Sequence, residues 1–144
     1  LTTIACTRKQ MVGDKKLVFD DDSYVLVTKV FRLRGELVAT AGDWDEGERF
    51  LEWFGGNRKT KCPKLSDDFQ AVSVNHDGIH WWSYKGYSQR LAREHFAIGS
   101  GAVAAMCLME MGADPKEAVE RVAKHDNNTS FETDVFVLNQ KKKE

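Results

Sequence analysis

Cysteine is scarce in this chain. Cys6, Cys62 and Cys107 are the only three in 144 residues, and they lie far apart. They fit neither a paired framework nor a Cys-x-x-Cys metal site, which points to a reducing compartment. Charge of one sign is not in excess either. Lys and Arg number 21, Asp and Glu 22, for a formal net charge of −1. No global field therefore favours nucleic acid or an anionic membrane surface. No apolar run is long enough to span a bilayer, and the first residues have no signal-peptide core. There is no internal repeat and no nucleotide-binding loop. The one biased segment, Lys141-Lys142-Lys143, reads as a solvated terminus. Asp20-Asp21-Asp22 lacks the alternating spacing and downstream Glu of an EF-hand loop, so it reads as a turn. These absences leave a single domain, expected to be soluble and cytoplasmic, with neither nucleic acid nor membrane as a partner.

What is present is a succession of short periodic segments. Thr3 to Arg8 reads as a strand with its return at Gln10 to Gly13. Val25 to Leu33 reads as one strand, with Lys29 on the same face as Val25, Val27, Phe31 and Leu33. Arg34-Gly35 turns into a strand over Glu36 to Ala41. Asp43, with Glu46 three residues on, is a capping-box signature for a helix to about Phe54, stopped by Gly55-Gly56. Asn57 to Lys64 is a basic loop. Phe69 to Asn75 and Ile79 to Tyr84 form a hairpin whose Asp77-Gly78 signals a type I′ turn. Gly86 to Arg93 gives only a loop with a partial helix. His95 to Ile98 is a short strand. The helix from Ala102 to Met111 is apolar nearly all round and so needs cover on more than one side. Asp114-Pro115 caps a further helix, and Asp134 to Leu138 is the closing strand. The order predicts an α+β fold, a four-layer α/β/β/α sandwich of two mainly antiparallel sheets flanked by helices, spanning 1–144 as one domain.

Two features carry chemistry. Thr2-Thr3-Ile4 reads most simply as a strand start rich in β-branched residues. A threonine that becomes the first residue of a mature chain, however, holds a hydroxyl nucleophile beside its own free amine. Lys29 is either a snorkelling strand lysine or a lysine held in a site. His76, Asp77 and His80 flank a turn and read as surface polar positions rather than metal ligands.

Several blocks, in this order, resemble one family: Thr2-Thr3-Ile4, Val12-Gly13-Asp14, Thr28-Lys29-Val30-Phe31-Arg32-Leu33, Thr40-Ala41-Gly42-Asp43, Ile98-Gly99-Ser100-Gly101, and Asp126 to Thr129 before an Asp-Val strand. Together they resemble a proteasome β-type subunit, and most of all an HslV-like peptidase, within the N-terminal nucleophile (Ntn) hydrolases. The chain is a shortened variant, with the loop Asn57 to Asp68 standing where the family has a second long helix. Its Thr129 takes the place of the usual serine.

The resemblance implies a threonine peptidase. Thr2 is the expected nucleophile, with its own α-amine as general base. Lys29 is expected to lower the amine's pKa, Asp14 to hold Lys29, and the Gly42 N–H to donate to the oxyanion. Ser100, Asp126 and Thr129 are expected to orient the amine. Thr40 and its neighbours are candidates for the pocket wall. The implied partners are an unfolded polypeptide or peptide substrate, further copies of the chain in a homo-oligomer such as a ring, and an AAA+ unfoldase; no metal or organic cofactor is required. Alternative readings are an inactive proteasome-like scaffold subunit and an Ntn amidase of small molecules. The peptidase reading requires the Leu1–Thr2 bond to be cut, because an acylated Thr2 has no free amine.

Overall fold

A computed structural model of the chain describes residues 2–139. Leu1 and the Lys141–Lys143 tail lie outside the described residues. β1 (Thr3–Thr7) and β2 (Gln10–Asp14) form the first hairpin. They pair on their outer sides with β10 (His95–Gly99) and β11 (Thr133–Val137), giving a four-stranded antiparallel sheet in the order β10-β1-β2-β11. A second antiparallel sheet runs β5-β6-β7-β8-β9. Its strands are β5 (Val30–Leu33), β6 (Glu36–Ala41), β7 (Gln70–Asn75), β8 (Gly78–Trp82) and β9 (Ser88–Leu91). A separate two-stranded ribbon joins β3 (Lys16–Val18) to β4 (Tyr24–Leu26).

Strand periodicity sorts the core. Ile4, Cys6 and Met11 from one sheet pack against Leu37, Val72 and Ile79 from the other. Ala5, Val12 and Ala97 point the opposite way, as alternation requires. There they meet Ala105 and Met109 of α2 (Ala102–Glu110) and Val119 and Val122 of α3 (Pro115–Ala123). On the far face of the second sheet, Val38, Ala71 and Trp82 meet Phe50 and Phe54 of α1 (Trp44–Gly55). The all-apolar α2 thus packs on a sheet and on α3. Even so, Val103 is 73% and Met111 at its end 85% exposed.

Several local expectations change. The expected strand over Val25 to Leu33 is two strands, β4 and β5, with a break at Val27 to Lys29. Lys29 does alternate with its apolar neighbours, but its buried ammonium is drawn to Asp14, and the chain leaves the ladder there. Gly86 to Arg93 contains the edge strand β9, whose Ser-Gln-Arg-Leu side chains are mostly exposed and show no apolar alternation. The turn between β7 and β8 is centred on His76 and Asp77, neither with positive φ; only Gly78 is left-handed, at φ +127°. That is not the type I′ geometry, which needs positive φ at both central residues. Asp43 caps α1 as expected, accepting from the Glu46 N–H at 3.0 Å. Glu46 does not complete the box. Its carboxylate instead accepts from the Ser66 N–H and hydroxyl at 2.9 and 3.0 Å, tying down the 57–68 loop. Trp53 donates to the Thr60 carbonyl from the same helix. Arg58 of that loop is half-buried: it pairs with Glu36 at 2.7 Å and lies over the Phe54 ring.

Candidate active site

The site grows from the β1–β2 hairpin. Ile4 lies opposite Gly13, which brings the end of β2 beside Thr3. There Asp14, wholly buried, accepts the Thr3 N–H at 2.9 Å. It also accepts the N–H groups of Lys16 (3.0 Å) and Ser130 (3.2 Å). Both its oxygens lie 3.0 Å from the Lys29 ammonium, whose side chain is 5% exposed. A buried carboxylate needs such partners, because unpaired charge in the interior is strongly disfavoured. Burial pushes the Lys29 ammonium below its ordinary pKa, and the charge and hydrogen bonds of Asp14 recover only part of the shift.

A second cluster lies alongside. Thr129 is held 2.9 Å from Asp126 and 2.8 Å from the Thr3 hydroxyl. Because Thr129 gives its proton to the carboxylate, the Thr3 hydroxyl is the donor to Thr129. Ser100 donates to the same Asp126 oxygen at 2.7 Å and approaches the Thr2 carbonyl at 3.3 Å. Partial burial raises the Asp126 pKa. Hydrogen bonds from the Asn128 N–H and the hydroxyls of Ser100 and Thr129 outweigh that, and the net shift is downward. Gly99, at φ +96°, brings the end of β10 against Thr2: a Cβ there would lie 1.9 Å from the Thr2 carbonyl oxygen. Only glycine fits.

Thr2 itself is 6% exposed and borders a cavity of about 200 Å³. Lys29 and Gly42 border the same cavity, as does Thr40. Gly42 has φ +128°, a conformation glycine adopts without strain. The fold therefore gathers all seven of the predicted residues around the start of β1. Thr2, Lys29 and Gly42 border the cavity, Asp14 lies beneath Lys29, and Ser100 and Thr129, joined by Asp126, bond to Thr2 and Thr3. Sequence reading missed Ser130 and Lys16, which act on Asp14 through backbone N–H groups and so leave no mark in side-chain type. It also missed Leu17, Phe31, Trp44, Glu48 and Leu51 of the cavity wall. The apolar face of the first helix was the available signal for Leu51.

No protein-family model matches the sequence, and no curated protein matches it. Solved structures do match. The BPH protein of Thiobacillus denitrificans, in complex with epoxomicin, superposes with a TM-score of 0.74 at 15% identity, covering 96% of this chain and 100% of that one. Eukaryotic HslV from Trypanosoma brucei gives 0.69 at 16% identity over 96% and 99% of the two chains. A Gly-1 mutant of Anbu from Hyphomicrobium sp. strain MC1 gives 0.69 at 9% identity over 95% and 81%. Such likeness across nearly the whole chain, at such low identity, speaks to architecture: this protein has the proteasome β-like fold of the N-terminal nucleophile hydrolases.

Proposed function

We propose that the chain is a threonine peptidase with Thr2 as its nucleophile. The observation that carries this reading is the shared cavity of Thr2, Lys29 and Gly42, with Lys29 locked to Asp14 at its base. Once Thr2 is the first residue, its α-amine takes the hydroxyl proton, through a bridging water. The Lys29 cation disfavours a second positive charge nearby and keeps that amine in its free-base form. The Thr2 oxygen attacks the substrate carbonyl, and the N–H of Gly42 donates to the resulting oxyanion. Collapse breaks the C–N bond, and the leaving amine takes the proton from the α-ammonium. Water then hydrolyses the Thr2 ester, releasing a carboxylic acid and restoring the hydroxyl. Ser100, Asp126 and Thr129 hold the Thr2–Thr3 segment in register for these steps.

Epoxomicin, which the Thiobacillus denitrificans protein binds, is the probe. With a chain beginning at Thr2, we expect a mass increment on Thr2 and loss of peptide hydrolysis. Thr2→Ala should abolish the labelling and also the hydrolysis of untreated protein, lowering kcat by about 10³-fold or more. Hydrolysis that survives Thr2→Ala would end this reading. The second reading is a non-catalytic assembly subunit, in which Thr2 stays acylated and has no free amine. The mass of the mature chain from its own cell separates the two: retained Leu1 supports assembly, and its removal supports the peptidase. Self-association into a ring, and delivery of unfolded chains by an AAA+ partner, belong to the peptidase proposal.

A further inference from the structure

The sheet and α3 cover only part of the apolar α2. Gly101, Ala104, Cys107 and Leu108 sit at positions i, i+3, i+6 and i+7, the spacing of one helix face. They line a groove of about 850 Å³ together with Val122 of α3 and the residues that follow that helix. Gly101 lets α2 and α3 approach, since a Cβ there would lie 2.5 Å from the Val122 Cγ1. Val122 is buried and Leu108 half-buried, while Ala104 and Cys107 are exposed. One side of the groove is therefore apolar and open to a ligand.

Its charges are uneven. Arg121, Lys124 and His125 border the groove, against the single acid Asp126. Asp126 already accepts from the hydroxyls of Ser100 and Thr129 and from the Asn128 N–H. Arg121 pairs with Glu117 at 2.8 Å, and its guanidinium has further N–H groups to give. Among the described residues, no hydrogen bond or ion pair holds the side chain of Lys124 or of His125. Apolar surface rimmed by basic side chains fits a molecule with an apolar stem and one anionic end.

We infer that the α2–α3 groove binds an aliphatic carboxylate of medium chain length. The stem would lie along Ala104, Leu108 and Val122, and the carboxylate would meet Arg121 and Lys124. The assignment stands apart from the peptidase reading, because none of the residues that would hold the ligand takes part in the proposed cleavage.

Decanoate is the probe, and Cys107 is a reporter already in place. The Cys107 thiol is exposed within the groove, whereas Cys62 is half-buried and lies outside it. Calorimetry should show one decanoate bound per chain. Saturating decanoate should slow alkylation of Cys107 by iodoacetamide severalfold and leave Cys62 unchanged. Lys124→Glu should weaken binding about tenfold, as when an accessible attraction becomes a repulsion. Added salt should weaken it as well. Ala104→Trp should fill the groove and remove binding. Decanol or decyltrimethylammonium binding as tightly as decanoate would overturn the assignment, since the carboxylate would then play no part. So would affinity unmoved by Lys124→Glu, equal protection of Cys62, or no binding of decanoate. Two results would instead name another occupant and equally overturn it. Cys107 protection that grows with protein concentration alone points to a second copy of the chain. Protection by oligoglutamate but not by decanoate points to an acidic polypeptide.

Discussion

On one flank of Thr2, Asp14, Lys29, Thr129 and Asp126 bond to their neighbours, with Asp14, Lys29 and Thr129 buried. On the other, Gly42, Trp44, Glu48 and Leu51 border open space. The first flank draws on β1, β2, Lys29 just before β5 and the loop after α3, segments far apart in the chain. The second comes mostly from one short stretch, the end of β6 and the first turns of α1. The difference teaches a division of labour. A group that must be placed to within a fraction of an ångström is surrounded by satisfied partners, whereas a surface that meets a varying ligand keeps its polar groups unspent.

Removing Asp14 should damage the bonded flank most. Asp14→Ala leaves a buried ammonium and the N–H groups of Thr3, Lys16 and Ser130 without their acceptor. We expect a loss of about 4–5 kcal/mol in denaturant unfolding. Lys29→Met should cost less, about 2–3 kcal/mol, because the carboxylate keeps its backbone donors. Equal losses for the two would mean that Asp14 is not the centre of the network.

Gly99→Ala comes next. It forces a side chain into positive φ and into the Thr2 carbonyl. A cost of about 2–3 kcal/mol is expected in thermal unfolding, along with loss of epoxomicin labelling. Normal labelling in a destabilised variant would show that the close approach serves the fold alone. Thr129→Val removes the link between Thr3 and Asp126 while keeping the shape, at about 1 kcal/mol. The open flank offers the contrast: Trp44→Ala should change stability by about 0.5 kcal/mol or less, since Trp44 is 39% exposed.

The smallest effect is on pH. The Lys29 pKa is lowered by burial, so between its folded value and 10.5 the unfolded chain binds more protons than the native one. Stability from this residue therefore rises with pH across that window. Titration of the lysine side chains by NMR should show Lys29 losing its proton below 10.5. A Lys29 that titrates above 10.5 would mean that attraction to Asp14 outweighs burial.

The legible parts of the sequence were those written in local side-chain chemistry. Asp43 announced α1, Asp114-Pro115 announced α3, and alternation announced β6 and β7. β9 was not legible because an exposed edge strand has no buried face to create a period. The break before β5 was hidden because Lys29 fits the alternation on either side, and its reason lies at Asp14, fifteen residues earlier. Glu46 had the position of a capping-box residue, but a serine twenty residues on competes for it and wins. Within the site, Thr2, Asp14, Lys29 and Gly42 were readable only as blocks resembling a family. Glu48 was invisible, because a glutamate on a helix is ordinary until a cavity is seen beside it.

Asp14 also has a consequence in time. Its donors include Thr3, eleven residues away, and Ser130, separated by 116. A ribosome delivers the N-terminal hairpin first. A growing chain therefore has Thr2 exposed to the cell long before the carboxylate beneath it has all its partners. The surroundings of Thr2 stay incomplete until nearly the whole chain has emerged, which on the proposed peptidase reading would delay cleavage until the protein is whole. A chain ending before Ser130 should consequently not react with epoxomicin at Thr2, and labelling of such a fragment would contradict this late assembly.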